Sequence, residues 1–307
     1  MSQNVEMAQT TASGTEPPQA KKRRSGRFGL LARRFARNKF ALVGVAFFVL
    51  LVLYALIGPM LTPYGRDDTD FLSILQTPSA DHWFGTNDAG NDMFVQTVYA
   101  LRRSLIIAVS VSAATTVIAA LYGAFAAFVG GKGEKFMVAL LNVLLVLPVF
   151  VFLALISNAT SGNWKILILV LIITGWYFQA RVVWSLATSL REREYVTAAT
   201  YMGVGSLTNV IRHIIPNVGS LLVINFTYGV VSTVMAETAL SFLGFGVKIP
   251  DVSLGVLLSV GNANLYSAPW LFFIPAAILT LLTVSMAFIA DGLRDALDPN
   301  SAAGGRA

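Results

Sequence analysis

Residues that could do chemistry are few in this chain, and most of them crowd one short segment. Asp67, Asp68, Asp70, Asp81, Asp88 and Asp92 surround His82 within the region from residue 67 to residue 92. Carboxylates beside a histidine could hold a hard cation or a catalytic proton. A calcium loop, however, needs alternating oxygen ligands about a central glycine and a closing glutamate. Here no such glutamate follows and the glycines fall elsewhere. The stretch His82-Trp-Phe-Gly-Thr-Asn-Asp-Ala-Gly-Asn-Asp92 has the composition of tight turns, so a metal-free, turn-built loop is expected. The other histidine, His213, stands far along the chain, and there is no cysteine. Neither a zinc motif nor a histidine-based triad can be assembled from two such residues. No Gly-x-x-x-x-Gly-Lys-Ser/Thr segment occurs either, so the chain is not expected to hydrolyse ATP.

Two further charges interrupt apolar runs. Arg181 and Glu237 could line a solute path, offering a cation and an anion to a zwitterion. Alternatively, Arg181 could snorkel to headgroups from a helix end, with Glu237 at the outer end of its own helix. Asn142 and Asn225 fall in mid-run, where a side-chain amide faces such a path or bonds a neighbouring helix.

The elements that must position these groups follow from composition. Of 307 residues, 55% are hydrophobic and 12% charged, with a mean hydropathy of +0.68. A soluble domain carries about 25% charged residues, so this composition cannot cover a water-facing surface. Six runs are capable of crossing a bilayer. They are Phe40 to Gly58, Ser104 to Val129, Phe136 to Ser157, a run from Ile166 interrupted at Arg181, one from near Val218, and Trp270 to Ala290. Met93 to Leu105 reads as a separate interfacial helix ending in Arg102-Arg103. Nine of the 22 Lys and Arg residues lie between Lys21 and Lys39. With that end inside, the inner segments hold sixteen basic residues and the outer ones five, so both termini are expected in the cytoplasm. The basic cluster is read as a topology signal meeting anionic lipid, with no nucleic acid as partner.

Between the fourth and fifth runs lies a loop of residues 190 to 216 with the pattern helix, glycine turn, helix. Arg191 to Met202 holds good helix formers, Gly203 and Gly205 break them, and Leu207 to Ile215 leads to Pro216. A short, partly apolar helix outside the membrane calls for a groove on a partner. Thr197-Ala-Ala-Thr-Tyr-Met-Gly203, then nine residues, then His213-Ile-Ile-Pro216, resembles the "EAA loop" of bacterial ABC-importer permeases. Thr197, His213 and Ile215 stand where that pattern has Glu, Ile and Leu. Trp83 to Asp92, Ala236 to Val247 and Ala290 to Pro299 are similar to signature stretches of the dipeptide/oligopeptide/nickel permeases, C-type subunit. Asn87 and Asn91 depart from them, since the family has Asp and Arg there.

The resemblance implies an all-α polytopic fold of six transmembrane helices, the type I (MetI-like) importer fold. The polar composition of residues 1–25 predicts a disordered cytoplasmic tail, followed by a basic segment with the first span and a large outer loop at 26–103, a permease core at 104–297 and a cytoplasmic tail at 298–307. The resemblance also implies a second homologous permease, two cytoplasmic ATPase subunits that carry the ATP and magnesium, and an extracytoplasmic binding protein, all at a bacterial cell membrane. Arg193, Glu194, Tyr195, Thr197, Ala198, Ala199, Gly203, Ile214 and Pro216 would form the ATPase-coupling loop, with Glu194 supplying polar contact in place of the missing glutamate at Thr197. Asn142, Asn225 and Glu237 are the residues expected on the path. The solute would be a di- or oligopeptide, with nickel or another small solute as the alternative within the family. An ion-coupled carrier is the rival outside it, but spans two, three and six hold no coupling charge.

Overall fold

The computed structural model describes residues 27–159, 162–248 and 250–297. The expectations for tails 1–25 and 298–307 lie outside the described residues. The described residues contain eleven α-helices and no strand. α1 (Arg27–Phe35) leads to α2 (Lys39–Ile57), the first span, which Asn38 caps by accepting the amide of Ala41 at 3.1 Å. A 3-10 turn, Gly58–Met60, opens the outer loop.

The second span does not begin at Ser104. α3 (Met93–Val129) is one helix of 37 residues, about 55 Å long, so Met93 to Leu105 is its first three turns and not a separate interfacial helix. No glycine or proline interrupts those residues. Arg102 and Arg103 brace the helix instead of ending it. Arg102 donates to the Ala55 carbonyl at 2.8 Å, satisfying an end group of α2. Arg103 pairs with Asp251 at 2.6 Å and stacks over Trp164 at 4.3 Å.

The third span is broken. α4 (Gly131–Val146) and α5 (Val149–Ala159) meet at an angle of 70°. Pro148 explains the break: it has no N–H for the helix ladder, and it drives Leu147 to an extended ψ of 134°. α6 (Trp164–Arg191) runs unbroken past Arg181 for 28 residues. α7 (Glu194–Tyr201) and α8 (Ser206–Asn209) form the loop expected to couple. α8 then passes through a π-turn, Val210–Ile214, into α9 (Ile215–Phe242). The second helix of the loop is thus the lower end of span five, not a free element. The π-turn widens the helix where the Pro216 ring would strike the Arg212 carbonyl. The Asn217 side chain donates to the His213 carbonyl at 2.6 Å. α10 (Leu254–Ala263) and the final span α11 (Trp270–Leu297) complete the bundle. Among the described residues five helices are long and apolar enough to cross a membrane, and the bent pair, taken as one span, makes six.

α3 is the axis, packed on α6 along one side and on α9 along another. Small residues set the spacing. A Cβ on Gly123 would lie 2.5 Å from the Ala180 carbonyl and 2.9 Å from the Trp184 nitrogen, so α3 and α6 touch backbone to backbone. Gly44 does the same for α2 against Ser285 of α11, at 2.7 Å.

The carboxylate-rich loop is a structural knot. Among the described residues, no three His, Asp or Glu side chains could hold a metal. Asp92 caps α3 by accepting the amide of Val95 at 3.0 Å, and its other oxygen meets Nδ1 of His82 at 2.9 Å. Tyr64 stacks on that imidazole at 4.6 Å. The Ser73 hydroxyl and the Leu72 amide hold the Asp70 carboxyl below the usual carboxylate range. Asn87 accepts from the amides of Ala89 and Asn91, a role that an aspartate fills equally well. Asp92→Ala is expected to destabilise the chain by about 2 kcal/mol, from the lost cap and the buried imidazole left unpaired. Thermal denaturation of the detergent-purified protein measures this. An unchanged midpoint would show that the loop bears no load.

Candidate coupling loop and intramembrane polar groups

α7 lies beyond the basic end of α6. Arg193 precedes its first residue with an extended backbone, and Glu194 opens its first turn. Its inner face buries Val196 and Ala199. That valine and that alanine matter because the helix must sit close to its neighbours. Val196 joins Ala124 and Ala127 of α3, Val183 and Ala187 of α6, and Val210 and Ile214 of the π-turn in one apolar cluster. Three separate segments therefore meet under this short helix. Its outer face exposes Glu194, Tyr195 and Ala198, and the turn beyond leaves Tyr201 and Met202 88% and 77% exposed. Thr197 is half-buried at the edge between the two faces.

Gly203 ends α7 at a φ of +82°. The Val204 amide reaches back to the Ala199 carbonyl at 3.1 Å and the Gly203 amide to Thr200 at 3.0 Å, the closed turn that a left-handed residue makes possible. Asn209, a residue that the motif does not mark, stitches the turn from inside. It is fully buried, and its amide donates to the Val204 carbonyl at 3.1 Å. Nothing in the local sequence distinguishes Asn209 from an ordinary surface polar residue. Ile214 is buried and Pro216 exposed, one on each side of the widened helix.

The three residues expected on a path do not share one site. Asn142 of α4 accepts a hydrogen bond from Nη1 of Arg181, so its amide bonds a neighbouring helix. Arg181 also lies over the Trp184 ring at 4.9 Å. It is ten residues short of the end of α6, and it reaches sideways to α4 and not along its own helix to the headgroups. Asn225 is half-buried in mid-helix with no hydrogen bond among the described residues.

Glu237 is enclosed, with 1% of its surface exposed. The hydroxyls of Ser241 and Ser253 each donate to its Oε1 at 2.6 Å, and Ser104 lies 3.5 Å from Oε2. This carboxyl therefore ties α3, α9 and the start of α10 together, and it faces no opening of this chain. Its signature stretch ends in a second glycine turn, with Gly244 at φ +81° and the Phe245 amide returning to Leu240 at 2.7 Å. The third signature stretch is also structural at its start. Asp291 accepts from the Tyr228 hydroxyl at 2.6 Å, and Asp295 accepts from Asn38 at 2.9 Å.

Residues 117–302 match the family model described as binding-protein-dependent transport system inner membrane component. Residues 27–78 match the N-terminal transmembrane domain of oligopeptide transport permease C. The oligopeptide transport system permease protein OppC of Mycobacterium bovis is 43% identical over 89% of this chain and 94% of its own length. OppC of Bacillus subtilis is 34% identical over 87% of each chain. The dipeptide transport system permease protein DppC of the same organism is 33% identical over 87% of this chain and 84% of its own.

Proposed function

The chain belongs to the binding-protein-dependent transport system inner membrane components, and from that premise we propose that it is one of two homologous permeases of a peptide importer driven by ATPases docked on α7. The observation that carries the coupling is the exposed face of α7 and its turn, Tyr195, Tyr201 and Met202, set on a cluster shared by α3, α6 and α9. Large apolar groups outside the spans require a partner groove. The names of the relatives, oligopeptide and dipeptide permeases, support peptides as the solute.

In this reading ATP and magnesium bind the partner ATPases, and this chain catalyses nothing. Closure of the ATPase dimer displaces α7. Because Val196 shares one apolar cluster with Ala127, Ala187 and Ile214, that displacement is passed to three spans at once. The continuous helix from α8 through the π-turn into α9 carries it to the far side of the membrane as a rigid body. Both termini are cytoplasmic, in accord with the excess of basic residues on that side. The extracytoplasmic binding protein meets the outer loop and α10.

Purification from native membrane in mild detergent, with each co-purifying subunit counted, tests the proposal. A second permease, two ATPase copies, a binding protein and peptide-stimulated ATP hydrolysis are expected. Recovery of this chain alone, moving solute without ATP, would refute it.

A further inference from the structure

We infer that Arg181 and Asn142 form a seat for the C-terminal carboxylate of the passing peptide, an inference that rests on the peptide reading above. A guanidinium within a span needs a counter-charge or water. Arg181 has a neutral amide, Asn142, and a neutral indole, Trp184 at 4.9 Å. These satisfy hydrogen-bond direction and polarisability but leave the positive charge uncompensated. The helices packed here, α3, α4 and α6, contain a single carboxylate, Glu134. That one is occupied, by Nε1 of Trp184 at 2.9 Å and by Arg191 at 3.4 Å. Among the described residues Arg181 makes no ion pair. It is half-buried, and Asn142 is exposed, so the pair is open on one side.

Depth decides which anion can arrive. Glu134 and Arg191 mark the polar end of α4 and α6. Asn142 is eight residues deeper than Glu134, about 12 Å, and Arg181 ten residues deeper than Arg191, about 15 Å. The guanidinium is held at the level of Asn142 and points across to it, so it does not climb to the phosphate plane of the lipid. With the open side of the pair facing the path between the two permeases, an oxyanion at this level is one carried by the solute. A planar guanidinium with free N–H groups beside an amide suits a carboxylate, which it can grip with two parallel hydrogen bonds.

The test uses the whole importer in vesicles and compares trialanine with its C-terminal amide. Each is presented as a saturating complex with the binding protein, and the maximal rate is read per loaded binding protein. The wild type is expected to move the free acid about 30-fold faster than the amide, the effect of one charge-assisted contact. Arg181→Gln should bring that ratio near one, and Arg181→Lys should keep part of it. Asn142→Asp supplies the missing counter-charge, so it should collapse the ratio in a chain that is well folded. Equal loss on both peptides, or an unchanged ratio, would overturn the inference while leaving the proposed function standing. So would a ratio that depends on anionic phospholipid and vanishes in pure phosphatidylcholine, because the ligand would then be lipid phosphate. A wild-type importer that moves no peptide would remove the proposed function as well.

Discussion

Gly203→Val is expected to reduce uptake at least about tenfold while the chain stays in the membrane at normal abundance. A Cβ at this position would meet no heavy atom within 4 Å, so crowding has no part in the effect. The penalty lies in the backbone, which at φ +82° costs an ordinary L-residue about 1–2 kcal/mol and a β-branched one more. The chain relieves that strain by returning residue 203 to negative φ, which breaks the closed turn between Ala199 and Val204 and swings α7 away from α8. That energy is small beside the packing of the spans, so the protein is still made and inserted. It is large beside what aligning one short helix in a groove can tolerate, since every 1.4 kcal/mol is tenfold. Gly203→Asn should keep most activity, because asparagine tolerates the left-handed region. Labelled-peptide uptake, with immunoblots for abundance, reads both quantities. Normal uptake by the valine variant would mean that α7 does not transmit the ATPase motion.

The turn after α7 was legible in the sequence because glycine is the local signal of a left-handed residue, and the spacing from Thr197 to Pro216 marks the rest. Hydropathy located each of the six spans, for a run of apolar residues must be helical in lipid. It failed where the deciding force was not apolarity. The first turns of α3 continue its span because Asp92 caps it at Met93 and Arg102 and Arg103 have partners in Ala55 and Asp251. Those partners are far away in the chain. Pro148 was visible as a residue, but a proline in a span can kink a helix or break it, and here the two halves stand at 70°. The same limit applies to polar groups. Asn209 and Asn225 look alike in sequence, yet one is buried in the turn after α7 and the other has no side-chain hydrogen bond among the described residues.

Glu237 separates a structural carboxyl from a transporting one, and its variants are expected to show the former. Glu237→Ala should destabilise the purified chain by about 3 kcal/mol, visible as early thermal unfolding and low abundance in the membrane. The reason is that the hydroxyls of Ser104, Ser241 and Ser253 lose the acceptor they share, and each buried polar group without a partner costs about 1–3 kcal/mol. The empty space adds to this, because α3, α9 and α10 cannot all move inward to fill it. Glu237→Gln should behave nearly as wild type. Its amide oxygen can accept from Ser241 and Ser253 as Oε1 does now. Its NH₂ can donate to Ser104, whose oxygen already accepts the Leu254 amide at 3.2 Å and has room for a second donor. The two variants together discriminate between shape and charge. If the alanine variant were stable but silent in uptake, or the glutamine variant equally silent, the carboxylate would be acting on the solute. In that case the knot must open during the cycle, with α10 parting from α3 to expose it.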